Sequence, residues 1–113
     1  MAKKKKSISK KDLMTLFDTG SYQRVISRTK QFRVVDMGDD EMDELLNRSY
    51  FMLSQEHFKQ GDVVRALRDI ETLIERSPND AYRVVKLKYL CYLENFESAT
   101  AYAQELLDSI KGA

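Results

Sequence analysis

The chain is predicted to be all-α, with about six helices pairing into three antiparallel hairpins. Apolar residues recur at three- and four-residue steps through most of its 113 residues, the spacing of a helix with one buried face. Ser, Asp or Asn stands where such runs begin, and Gly or Ser-Pro stands where several of them stop. One corner also repeats: Phe17-Asp18-Thr19-Gly20-Ser21-Tyr22 and Phe58-Lys59-Gln60-Gly61-Asp62-Val63, then, one residue shorter, Tyr92-Leu93-Glu94-Asn95-Phe96. Each places a ring before a polar turn and an apolar residue after it.

The elements follow in order. Residues 1–8 are lysine-rich with nothing to bury, and are expected to be a disordered head. The first helix starts near Ser9, where Ser9-x-x-Asp12 resembles a capping box, carries Leu13, Leu16 and Phe17 inward, and ends before Gly20. A second follows Ser21 with Tyr22, Val25, Ile26, Thr29 and Phe32 at helical spacing, fading after Val35 near Met37-Gly38. Asp39-Asp40-Glu41 opens a third, since acids suit the partial positive charge of a helix start, and it runs to about Gln60. Gly20 and Gly61 are placed to end helices in a left-handed conformation that costs glycine little. Asp62 caps a fourth helix holding Val63, Ala66, Leu67, Ile70, Leu73 and Ile74, which Pro78 closes. Asn79 or Asp80 caps a fifth through Leu93, and Asn95 begins a sixth with Phe96, Ala99, Tyr102, Ala103, Leu106 and Leu107.

The length suits one domain. Its composition, 42% hydrophobic and 33% charged, is that of a globular protein. No apolar run approaches the roughly 20 residues that span a bilayer, and no apolar secretory core follows the lysines, so the expected location is cytoplasmic. A net charge of +1 hides an asymmetry. Lys3, Lys4, Lys5, Lys6, Lys10 and Lys11 precede the first acid, and thirteen basic residues face eighteen acidic ones from Asp12 onward. Only this head is suited to polyanions.

Asn47 to Asp80 holds the densest pattern. Tyr50-x-x-Leu53-Ser54-x-x-His57, then Ala66-x-x-x-Ile70, then Pro78 places an aromatic, a leucine, a small residue, a ring, an alanine, a bulky residue and a proline in sequence over thirty-four residues. In this the chain resembles the tetratricopeptide-repeat family, over roughly residues 9 to 110, in units of about 9–38, 39–78 and 79–110. The outer units are degenerate: Met37 stands where a proline closes the first, about seven extra residues precede the second, and tryptophan is absent. The resemblance implies a short right-handed solenoid that binds other proteins in a concave groove. It also implies that the fifth helix turns Tyr82, Val85, Tyr89 and Tyr92 into that groove, beside Phe51, Gln55 and Phe58 of the third helix and Met14 and Phe17 of the first. Val84, Leu87 and Cys91 then form the other stripe of the fifth helix. Chaperone-binding members hold a terminal carboxylate between basic and asparagine side chains; the matching places here are Lys10, Met14, Met52, Tyr82 and Lys86, which favours an apolar ligand instead.

Catalytic constellations are not expected. His57 is the one histidine and Cys91 the one cysteine, which excludes a two-histidine or two-thiol metal site and an internal disulfide. Each lies four residues before a turn and is expected to pack within its hairpin. The acids of Asp39-Asp40-Glu41, Asp43-Glu44 and Glu71/Glu75 suit solvated helix faces, and the glycines are isolated turn residues rather than a phosphate loop. No metal or cofactor is expected.

The expected function is therefore a non-catalytic protein-interaction adaptor, scaffold or assembly factor that binds an apolar peptide or helix. One alternative is a nucleic-acid- or ribosome-associated protein acting through the lysine head. Another is an oligomerisation domain, because Tyr102, Leu106 and Ile110 leave the last helix apolar where a solenoid needs a polar end.

Overall fold

Eight short segments of regular structure run along the chain in the computed structural model, which describes residues 6–93 and 96–111. They are β1 (Ser7–Ile8), α1 (Lys10–Asp18), α2 (Tyr22–Gln31), β2 (Arg33–Val34), α3 (Asp39–Lys59), α4 (Val63–Arg76), α5 (Asp80–Tyr92) and α6 (Phe96–Lys111). The fold class is all-α, as the spacing predicts, with one small two-stranded sheet. Two compact units result, Met1–Leu53 and Ser54–Ala113, and their boundary falls inside α3 rather than at the turns near residues 38 and 78.

In the first unit, the Ser9 hydroxyl accepts a hydrogen bond from the Asp12 amide at 3.2 Å, the cap expected from Ser9-x-x-Asp12. Leu13, one turn on, is fully buried and meets Val25 of α2 and Leu45 of α3. Between α1 and α2 the Gly20 amide donates to the Phe17 carbonyl at 3.0 Å and the Ser21 amide to Leu16 at 2.8 Å. Those two bonds close the last carbonyls of α1, and they require Gly20 at φ +80.

Two expectations fail in this unit. The second helix stops at Gln31 instead of fading after Val35, and Phe32 is extended at φ −123, ψ 151. Arg33 and Val34 then pair in parallel with Ser7 and Ile8, extended by the Arg33 amide donating to the Lys6 carbonyl at 2.8 Å. The disordered head expected over 1–8 thus gives way at Lys6–Ile8. The reason is burial: Ile8 and Val34 both pack against the Leu13–Val25–Leu45 cluster, which rewards two β-branched residues for going straight. Residues 1–5 lie outside the described residues.

In the second unit, the corner between α3 and α4 repeats the first. Gly61, at φ +83, donates to Phe58 at 3.0 Å, and Asp62 donates to His57 at 2.9 Å. The Asp62 carboxylate also accepts from the Arg65 amide at 3.1 Å, as expected of a cap. α4 is sharply two-faced: Ala66, Ile70 and Leu73 are fully buried at steps of four and three, while Arg65, Arg68 and Glu75 are exposed. Asn79 caps α5 through the Ala81 amide at 2.8 Å, α5 packs against both α4 and α6, and Ala99 and Leu106 face the core from α6. The cap expected at Asn95 lies outside the described residues.

Candidate functional site

The sequence-predicted groove residues fall in both units. In the first, Met14 and Phe17 pack against the Leu13–Val25–Leu45 cluster, and Phe17 has Tyr22 against its edge at 5.3 Å and the Arg48 guanidinium over its face at 4.9 Å. Phe51 is half-buried. In the second, Gln55, Phe58, Tyr82 and Val85 are half-buried, Tyr92 is 62% exposed, and Tyr89 is 2% exposed.

Tyr89 is therefore corrected from a groove residue to a core residue. Its ring stacks on Phe58 with centroids 5.0 Å apart, and its hydroxyl shares a hydrogen bond with the Ser54 hydroxyl at 3.2 Å. Burial pushes the phenol above its usual value; the Ser54 bond opposes that, and the carboxylate of Asp69 adds to it. Neither stripe of α5 behaves as a unit: in the first Tyr89 is buried while Tyr92 is exposed, and in the second Leu87 is half-buried. Val84 is 54% exposed and Cys91 is exposed, although both were expected to pack within the hairpin. Leu90, in neither stripe, is buried beside Tyr89.

The aromatic residues do meet at one place. Phe58 at the end of α3 lies between Tyr89 and Tyr92, stacked on the first and edge-on to the second at 4.8 Å, with the Lys88 ammonium 4.7 Å from its ring centre. The innermost ring is fixed by packing and a hydrogen bond, and the outermost faces solvent. A surface built this way offers apolar area whose rotamers are already chosen.

His57 is partly buried, as expected of a packing residue, but its partner was not foreseen. Its Nδ1 lies 2.6 Å from a carboxylate oxygen of Asp69, with the two side chains 17% and 15% exposed. Asp69 stands within the apolar face of α4, three residues after Ala66 and four before Leu73, and an acid inside such a stripe is the signal that could have pointed to a buried partner. Desolvation raises the Asp69 carboxyl above its usual range more than His57 lowers it.

Of the lysines suited to polyanions, Lys6 and Lys11 are exposed, whereas Lys10 is paired with Glu41 and its amide donates to Asp36 at 2.6 Å. Lys3, Lys4 and Lys5 lie outside the described residues. The acids Asp39, Asp40 and Glu41 stand exposed in the first turn of α3. Among the described residues no helix is long and apolar enough to cross a membrane, and no cluster of three or more His, Cys, Asp or Glu side chains could hold a metal ion. No protein-family model, curated protein or solved structure matches this chain.

Proposed function

We propose that the chain is a non-catalytic protein-interaction module, a short tetratricopeptide-like array of helical hairpins that binds an apolar peptide or helix. The observation that carries this reading is Tyr92, a large ring left 62% exposed while its neighbour Phe58 is held by Tyr89 and Lys88. A ring in solvent next to a rigid aromatic wall supplies contact area at low entropic cost, and its hydroxyl orients the bound chain. The groove residues that remain in this role in the second unit are Gln55, Phe58, Tyr82, Val85 and Tyr92; Tyr89 supports Phe58 by stacking.

The test is partner recovery with wild type and Tyr92→Ala. Because Tyr92 is exposed, the variant should keep its helical signal and melting temperature. Binding should weaken by about 2 kcal/mol, roughly thirtyfold, the scale of an interfacial tyrosine anchor. Equal recovery by the folded variant would sink the proposal.

A second reading, self-association through α6, is favoured by Leu107 at 49% and Ile110 at 51% exposure. Leu106, which the sequence grouped with Tyr102 and Ile110, is 8% exposed and belongs to the core. Sedimentation of a Leu107→Glu, Ile110→Glu variant is therefore the appropriate measurement: a wild-type dimer that becomes monomeric supports this reading, and a monomeric wild type removes it.

A further inference from the structure

On the side of α5 that faces α4 and α6, an open cleft of about 340 Å³ is lined by Leu67, Glu71, Lys86, Leu90, Tyr102 and Glu105, among others. An adjoining cleft of about 200 Å³ shares Tyr102 and Glu105 and adds Arg83. Both cations are already engaged. The Lys86 ammonium lies 3.7 Å from Glu71 and 4.6 Å from the centre of the Tyr102 ring, and Arg83 bonds Asp80 at 2.9 Å. Glu105 lines both clefts and has no cation partner among the described residues, so of the two carboxylates that line them it is the one not paired with a cation. The Tyr102 hydroxyl is raised above its usual value by burial, and the carboxylates of Glu105, Asp80 and Glu71 add to that against Arg83.

We propose that this cleft receives an arginine side chain of a peptide partner, its guanidinium on the Glu105 carboxylate and its aliphatic stem over Leu67 and Leu90. An arginine matches the two chemistries that meet there. Its three-carbon stem covers an apolar floor while its planar head makes paired hydrogen bonds to a carboxylate and lies against an aromatic ring. Lys86 prepares the site by neutralising Glu71, which leaves Glu105 as the single anionic anchor and sets where the head must go. The cleft uses none of the residues of the Tyr92 surface, so it is a second contact that goes beyond the reading above.

The experiment is a nuclear magnetic resonance titration of the full chain with the capped peptide acetyl-Gly-Arg-Gly-amide, alongside its norleucine and glutamate analogues. The arginine peptide should give saturating shifts centred on Leu90, Tyr102 and Glu105, larger than those from norleucine. Glu105→Gln, at an exposed position, should weaken binding about three- to fivefold, the scale of a solvent-screened ion pair. Tyr92→Ala should leave this binding unchanged, which separates its failure from that of the aromatic surface. Equal shifts from norleucine, tighter binding of the glutamate analogue, shifts spread over the acidic start of α3, or indifference to Glu105→Gln would each overturn the proposal.

Discussion

The two units close the same kind of hairpin corner over cores of different chemistry. The corners agree closely: Gly20 and Gly61 have φ of 80 and 83, and in each the glycine amide and the one after it donate to carbonyls three and five residues back. Beneath them, the first unit joins Leu13, Val25 and Leu45, and its buried Ser49 hydroxyl bonds the Leu45 carbonyl of its own helix at 2.8 Å. The second unit buries polar groups that reach across elements: Ser54 to Tyr89, and His57 to Asp69. A core of aliphatic contacts is non-directional and can repack, whereas hydrogen bonds between elements fix where each ring must sit. It is the second kind of core that supports the exposed aromatic wall.

The largest expected effect breaks or upholds that contrast. Tyr89→Ala should cost about 3–5 kcal/mol, as truncation of a buried ring does, and Leu13→Met should cost less than about 1.5 kcal/mol because an aliphatic core accepts a swap of similar volume. Denaturant unfolding measures both. A Leu13→Met penalty as large as that of Tyr89→Ala would show the first core to be as tightly specified as the second.

Next come the corners. Gly20→Ala and Gly61→Ala should each cost about 1–2 kcal/mol, and by similar amounts, because an added Cβ meets nothing within 4 Å at either site and only the left-handed backbone penalises it. The caps after them should differ. Asp62 accepts from the Arg65 amide, whereas Ser21 makes no side-chain cap bond. Asp62→Ala should therefore cost about 1 kcal/mol, and Ser21→Ala should fall near zero. Thermal unfolding of the four variants checks the set; a costly Ser21→Ala would make the corners more alike than their hydrogen bonds suggest.

The same contrast explains what could be read beforehand. Ser9, Asp62, Gly20 and Gly61 were legible, and the cap of α5 to within the pair Asn79 and Asp80, because capping and left-handed turns act within a few residues. The buried face of α4 was legible because polar residues occupy the rest of its circumference. α5 is different: Val84, Val85, Leu87, Tyr89, Leu90, Cys91 and Tyr92 put apolar groups on every side, so spacing alone could not say which stripe meets solvent. That choice depends on Phe58 and Ser54, thirty-one and thirty-five residues before Tyr89, where long-range packing decides. The end of α2 was missed for the same reason, since Val34 goes straight only because Ile8 is there to pair with and a core is there to cover.

The smallest effect, and the most selective, is on the Tyr89 hydroxyl. Tyr89→Phe keeps the ring and loses one hydrogen bond, and Ser54 keeps another interaction, so the cost near neutral pH should be about 0.5–1 kcal/mol. The alkaline limb carries the sharper expectation. Burial holds the folded-state phenol above the ordinary value of 10.0, so the folded protein retains a proton that the unfolded chain gives up. By linkage that contribution is fully present below pH 10.0 and is lost as pH rises through the folded-state pKa. The stability advantage of wild type over Tyr89→Phe should accordingly shrink, and then reverse, as pH climbs past 10.0. Among the described residues, the buried core of the first unit contains no phenol. Methyl signals of Ile70 and Leu73 should therefore lose their folded positions at lower pH than those of Leu13 and Val25 in wild type, and this gap should narrow in Tyr89→Phe. An unchanged gap would mean that the hydroxyl, although buried, is not what distinguishes the second core.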